Sequence, residues 1–203
     1  MRAILVRHGE TLWNKEGRFQ GQRDVVGLTQ LGLTQAQNIA KALIAMNPTS
    51  LFSSPLKRTL ETSLKLSHYL DLPIVPIDGL KEIDLGTLEG IKSKKLKVNY
   101  PHIFHQWHSD PSKVLFPAGE SLPKLQNRAW RAIKIIERLH PDETVVVVSH
   151  NFTIRTIIYK LLGLPLAKFH MVKLDLCSIS VIELANNKNQ LISLNEHYLP
   201  DRQ

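Results

Sequence analysis

Short apolar runs separated by longer amphipathic stretches constrain this chain more than any other feature of its sequence. Ala3 to Val6, Leu51 to Ser53, Ile74 to Ile77 and Thr144 to Val148 are each only a few residues long. Runs of that length suit buried strands, and the stretches between them place apolar residues at helical spacing. The alternation predicts an α/β fold in three layers, with a mostly parallel sheet wrapped by helices. Thr29 reads as the N-cap of a helix carrying Leu33, Ala36, Ile39, Ala40 and Leu43, ended by Asn47-Pro48. Ser54-Pro55 reads as a cap followed by proline at the first helical position, opening a helix through about Tyr69. Further helices are expected over about Leu122 to Leu139 and about Phe152 to Leu162, the second closed by Gly163. Leu174 to Glu183 and the segment around Leu191 to Leu194, separated by Asn186-Asn187-Lys188-Asn189, read as a strand pair. The segment from Glu89 to Glu120 is rich in Lys, His, Pro and aromatic residues, and reads as an excursion outside the sheet, a small lid.

At 203 residues the chain suffices for one domain with a substantial core, so a single domain over 1–203 is expected. No apolar stretch reaches membrane-spanning length, since the run from Phe152 to Phe169 is cut by Arg155, Lys160 and Lys168. The first apolar run is too short for the core of a signal peptide, which makes the cytoplasm the expected compartment and a membrane partner unexpected. The only cysteine, Cys177, excludes an intramolecular disulfide and reads as a small buried core residue. With 26 Lys and Arg against 18 Asp and Glu, the formal charge of +8 favours anionic partners. No zinc-finger spacing or RNA-recognition aromatic motif accompanies it, so nucleic acid is not the expected partner. Nothing in the sequence sets an oligomeric state.

Three chemically loaded segments follow the expected strands. Arg7-His8-Gly9 stands just past the first strand, and Ser149-His150-Asn151 just past Thr144 to Val148. Arg58 lies in the first turn of the helix after Leu51 to Ser53, near the positive end of its dipole. Taken singly, an Arg-His-Gly turn decides nothing. Open α/β sheets, however, bind ligands beyond the carboxyl ends of their strands, and here two histidines and two arginines converge on that edge. Two guanidiniums beside two imidazoles suit a tetrahedral dianion, because arginine offers paired donors that match phosphate oxygens. A neutral imidazole can also attack phosphorus and carry the phosphoryl group. Glu82 is the best candidate for the proton donor to the leaving oxygen, with Asp84 and Glu89 as weaker neighbours.

The stretches RHGETLWN, SSPLKRTLET, EIDLGTLEG and VVVVSHN stand in the order, and at about the spacing, of the histidine phosphatase superfamily, also called the phosphoglycerate mutase-like family. The chain resembles that family from Arg2 to about Gly163, and more loosely to its end. The resemblance implies His8 as nucleophile, Arg7, Arg58 and His150 as a phosphate clamp, and Glu82 as acid and base. It implies Asn14 as a further phosphate ligand, Gln20 and Gly21 in GRFQG as contacts in a closing loop, and Asn151 as a substrate contact. Pro117 to Ser121, PAGES, resembles the family's PGGES turn at the mouth of the site. The expected activity is hydrolysis of a small phosphorylated metabolite, with no cofactor and no metal, since arginine and histidine supply the positive charge. The rivals are a cofactor-dependent phosphoglycerate mutase and a non-catalytic basic binding protein of the same fold. Mutases of the family generally carry a larger insertion between the positions of Glu82 and His150, and mere binding requires neither a nucleophile nor a proton donor. Two stretches depart from the family pattern: DVVGLT is one residue longer than usual and lacks a proline, and Lys92 to Lys97 is unusually basic.

Several other residues have simpler readings. His102, His105 and His108 on one helix would spread over about 9 Å of its axis, too far for one ion, and read as exposed residues of the lid. Trp107 and Trp130 read as packing residues, and Trp13 as one that can border the site. Lys92 to Lys97 reads as a solvated face. His68, His140, His170 and His197 have no motif context.

Overall fold

A computed structural model describes residues 1–185 and 189–198. In chain order its strands and helices are β1 Arg2–Arg7, α1 Leu12–Lys15, α2 Gln30–Ile44, β2 Ser50–Ser53, α3 Lys57–Leu70 and β3 Ile74–Pro76. Then come α4 Leu96–Asn99, α5 Pro101–Ser109, α6 Leu122–Leu139, β4 Thr144–Ser149, α7 Asn151–Leu161, β5 Ile179–Glu183 and β6 Gln190–Glu196. The six strands form one sheet in the order β3-β2-β4-β1-β5-β6. The pairings among β3, β2, β4 and β1 are parallel, and those of β5 with β1 and of β6 with β5 are antiparallel. The sheet is mixed and mostly parallel, with helices on both faces, as the alternation of runs requires.

The valine run of β4 shows how the layers are specified. Val145 and Val147 join one core with Leu5, Phe52 and the buried faces of α6 and α7. Val146 and Val148 join the other with Ile4, Val6, Leu51 and the α2 residues Ala36, Ile39, Ala40 and Leu43. A strand buried on both faces has no polar side to show, so four valines run without a break. In α6 the buried residues Leu122, Leu125, Ala129, Ala132, Ile133 and Ile136 form one stripe at helical spacing.

Two boundaries differ from the sequence reading. Helix α3 starts at Lys57, two residues beyond the Ser54-Pro55 signature, and its first amide is capped from a distance. Both Asp24 carboxylate oxygens accept from the Lys57 N–H, at 2.8 and 3.0 Å. The Ser54 hydroxyl oxygen accepts from the Leu56 N–H, just before the helix, and lies against His150. The longer DVVGLT stretch thus supplies the cap, with Gly27 pressed against Glu61, whose carboxylate accepts from the Leu28 N–H. The strand expected from Leu174 begins only at Ile179, because the Asp175 carbonyl accepts from the Ser178 amide and hydroxyl, and Cys177 turns to φ +51°. Residues 186–188, which open the expected turn between β5 and β6, lie outside the described residues.

The excursion after Glu89 buries Leu96, Ile103, Val114 and Phe116 in the core shared with α6 and α7. His102, His105 and His108 are exposed, as are Lys94, Lys95 and Lys97. Trp107 stacks on Phe152 with ring centroids 5.4 Å apart. Cys177 is buried, and burial pushes its thiol up to about 12. Among the described residues no helix is long and apolar enough to cross a membrane.

Candidate active site

The carboxyl ends of β1, β2 and β4 lie side by side, and the segments leaving them build a cavity of about 110 Å³. Its wall includes Arg7, His8, Asn14, Gln20, Gly21, Arg58, Glu82 and Asn151. Of the site residues expected from sequence, only His150 stands behind the wall, fully buried with its ring 5.3 Å from that of His8.

His8 is fixed by backbone partners on three sides. Its N–H donates to the Ser149 carbonyl, its carbonyl accepts from the Cys177 N–H, and its Nδ1 lies 2.8 Å from the Gly9 carbonyl. A carbonyl only accepts, so Nδ1 carries the proton and the lone pair is on Nε2. Burial, with Arg58 and Arg7 nearby, holds His8 well below the usual histidine range, so the ring is neutral at neutral pH. Gly9 and Gly32 allow the turn after His8 to lie against α2. A Cβ on Gly9 would stand 2.6 Å from the Gly32 carbonyl oxygen, and one on Gly32 2.2 Å from that of Glu10. The Gly9 N–H donates to the Thr62 hydroxyl, which ties the same turn to α3.

The tautomer of His150 follows from Ser54. The Ser54 hydroxyl oxygen accepts from the Leu56 N–H and lies 2.8 Å from His150 Nε2. Among the described residues the Ser54 proton has no other acceptor, so it goes to Nε2, and the histidine proton is on Nδ1, which has no partner there. Burial and the charge of Arg58 depress His150 as well. Arg58 donates from Nη2 to the Gly21 carbonyl at 2.7 Å, while its Nε and Nη1 have no partner among the described residues. Burial lowers this guanidinium to about 10, which leaves it charged at neutral pH. Arg7 donates to the Leu174 carbonyl, and its Nε is likewise unpaired among the described residues.

Glu82 lies at the N-terminus of α7. One carboxylate oxygen accepts from the Ile83 amide and from the Thr153 amide and hydroxyl, the other from the Phe152 amide at 3.1 Å. Its backbone carbonyl accepts from Gln22 and Arg128. Asp84 turns instead to the Gly86 N–H, and Glu89 lies under the Gly21 turn, accepting from the Gln22 and Leu85 amides. Burial raises the Glu89 carboxyl. The PAGES turn does not form part of the cavity wall. It braces Asp84 and Gly86 from behind, where Glu120 accepts from the Asp84 N–H and pairs with Arg128. Asn14 closes a capping box with Thr11, whose hydroxyl also donates to Gln20. Trp13 packs against Gly90 and under Arg23 rather than lining the cavity.

Sequence reasoning missed Ser54, Thr153 and the wall residues Arg18, Phe19, Ile83, Leu85 and Phe152. Thr153 had a usable signal, since the third helical position after a cap offers a free amide to a carboxylate. A second cavity of about 570 Å³ shares Arg7, Asn14 and Asn151 with the first and continues outward past Arg155 and Leu174. Neither cavity takes a wall from residues 89–120, the segment expected to act as a lid. Among the described residues no three His, Cys, Asp or Glu side chains are grouped to hold a metal ion.

The chain is 37% identical to phosphoserine phosphatase 1 of Hydrogenobacter thermophilus over 195 residues, covering 96% of this chain and 92% of that one. It is 34% identical to a metal-independent phosphoserine phosphatase of Arabidopsis thaliana over 188 residues, covering 91% and 77% respectively. Its fold superposes on the solved structure of Bacillus stearothermophilus YhfR with a TM-score of 0.89 at 29% identity, covering 95% of each chain. Residues 3–197 match the sequence model of the histidine phosphatase superfamily (branch 1), and the chain belongs to that family.

Proposed function

We propose that this protein is a metal-independent phosphatase that hydrolyses a small phosphomonoester through a phosphohistidine on His8, residues 1–203 acting as one catalytic domain. The observation that carries the proposal is the placement, in one small cavity, of a neutral imidazole with a free Nε2 lone pair, two buried guanidiniums and a carboxyl group. At about 110 Å³, somewhat below the roughly 150 Å³ of an apolar cavity that takes a benzene molecule, the cavity is of a size for a phosphoryl group.

The substrate's phosphate oxygens take guanidinium donors of Arg7 and Arg58, the side-chain amides of Asn14, Gln20 and Asn151 bound the same space, and His150 packs its ring against His8 from behind the wall. His8 Nε2 attacks phosphorus as the bond to the alcohol oxygen breaks, and Glu82 delivers a proton to that oxygen. Charge building on the equatorial oxygens is met by the guanidiniums, the task a divalent cation performs in other phosphoryl transfers. Water then attacks the phosphohistidine, Glu82 takes its proton, and free phosphate and neutral His8 are restored. A mutase must keep water from its phosphoenzyme, and an outer cavity reaching exposed Lys173 favours hydrolysis. The phosphoserine phosphatases among the relatives make phosphoserine the first substrate to assay.

The test is phosphate release from a panel of phosphorylated metabolites with and without EDTA. The proposal expects turnover of at least one at a rate unchanged by the chelator. Complete loss in EDTA, restored by magnesium, would overturn it.

A further inference from the structure

The outer cavity is contiguous with the phosphate site through Arg7, Asn14 and Asn151, so a phosphomonoester seated against His8 extends its alcohol half into it. Most of its charges are already matched. Asp175 accepts from Lys173 at 2.9 Å, from Asn195 at 3.0 Å and from His197 at 3.1 Å, and these partners hold its carboxyl at about 2. His170 lies 2.7 Å from the Trp107 carbonyl through Nε2. Arg155 is different. Its side chain is buried to 8% exposure and its Nη2 donates to the Phe169 carbonyl. The guanidinium lies 3.8 Å from the Phe169 ring centroid, its Nε is unpaired, and it forms no ion pair among the described residues. An aromatic face offsets part of the cost of burying a charge, whereas an anion with two oxygens offsets far more.

On this ground, and resting on the phosphatase reading above, we infer that Arg155 is a specificity-determining residue that binds a carboxylate on the alcohol half of the substrate. A single negative charge fits one unmatched guanidinium, where the phosphate cavity sets two, Arg7 and Arg58, against a dianion. The competing role is structural: Arg155 could serve only to pin the 166–171 segment onto α7 through Phe169.

Two substrate pairs separate these roles. Phosphoserine carries a carboxylate that phosphoethanolamine lacks, and 3-phosphoglycerate carries one where glycerol 3-phosphate has a hydroxymethyl group. The wild-type enzyme should favour the carboxylated member of at least one pair by about tenfold to hundredfold in kcat/KM, the size of a charge-assisted bond. Arg155→Met, which keeps an apolar stem between the aromatic rings, should abolish that preference and leave the member without a carboxylate within about threefold; Arg155→Lys should keep part of it. Absence of preference in both pairs, or equal loss on both members in Arg155→Met, would overturn the inference. Should Arg155→Met fail to fold, the wild-type ratios and Arg155→Lys decide. If the wild-type protein releases phosphate from nothing, p-nitrophenyl phosphate included, the phosphatase reading fails. Calorimetric titration with the same pairs then judges Arg155 alone: selective binding of the carboxylated member supports it and equal binding overturns it.

Discussion

The inner cavity and the outer cavity meet at three residues but are built in opposite ways. The inner one is walled by segments that leave the central strands, with His8, Arg58 and Glu82 all buried and held by backbone partners. The outer one is lined on its far side by the loop from His170 to Leu176, where Lys173 is exposed and the chain has no regular strand. Rigid placement suits the step common to every phosphomonoester, because catalysis depends on donors fixed before charge develops. A loop on a rigid scaffold suits the part that differs between substrates. Chemistry and selectivity should therefore respond to different mutations.

The largest separation is expected at Glu82. Glu82→Gln should lower kcat for alkyl phosphates by about 10² to 10⁴, the usual contribution of a general acid. For p-nitrophenyl phosphate, whose leaving group departs without a proton, the loss should be much smaller. Equal loss on both would assign the acid elsewhere and blur the division between the cavities.

Stability against pH should separate them next. His8 and His150 are held neutral by burial, whereas in the unfolded chain they titrate near 6.5. Below that pH the unfolded chain binds protons that the folded one refuses. Stability is therefore full above about 6.5 and falls with acidification, by about 1.4 kcal/mol per pH unit for each such group. Asp175 acts in another window: its depressed pKa adds stability above about 3.9 that is lost as pH falls towards 2. As pH falls below about 6.5 the first loss thus belongs to the inner cavity. Urea midpoints should show it, and His8→Asn should roughly halve the slope. A slope unchanged in that variant would place the titrating groups elsewhere.

The same division governs what could be read from the sequence. His8, Arg58 and His150 were legible because each follows an apolar run, and a parallel sheet brings the ends of its strands to one edge. Glu82 was legible as chemistry, but its support was not. The Phe152 and Thr153 amides that hold it come from a helix seventy residues further along the chain. Ser54 reads locally as a helix cap, yet its hydroxyl serves His150, ninety-six residues away, and Asp24 takes over the capping of α3. Local signals name residue types that suit a role without fixing which distant partner claims them. Arg155 was visible only as a charge that broke an apolar run, and its meaning depends on Phe169 packing against its guanidinium. The excursion after Glu89 read as a lid from composition, but its buried apolar residues give it a place in the core.

The central claim is that the phosphoryl group passes through His8 Nε2 on its way to water. Rapid-quench sampling with a ³²P-labelled phosphomonoester measures this directly. The account predicts transient, acid-labile label on His8, approaching one equivalent per site when transfer to water is the slower step, followed by matching free phosphate. No label should form in His8→Ala. Full turnover in His8→Ala, or label found on a residue other than His8, would contradict it.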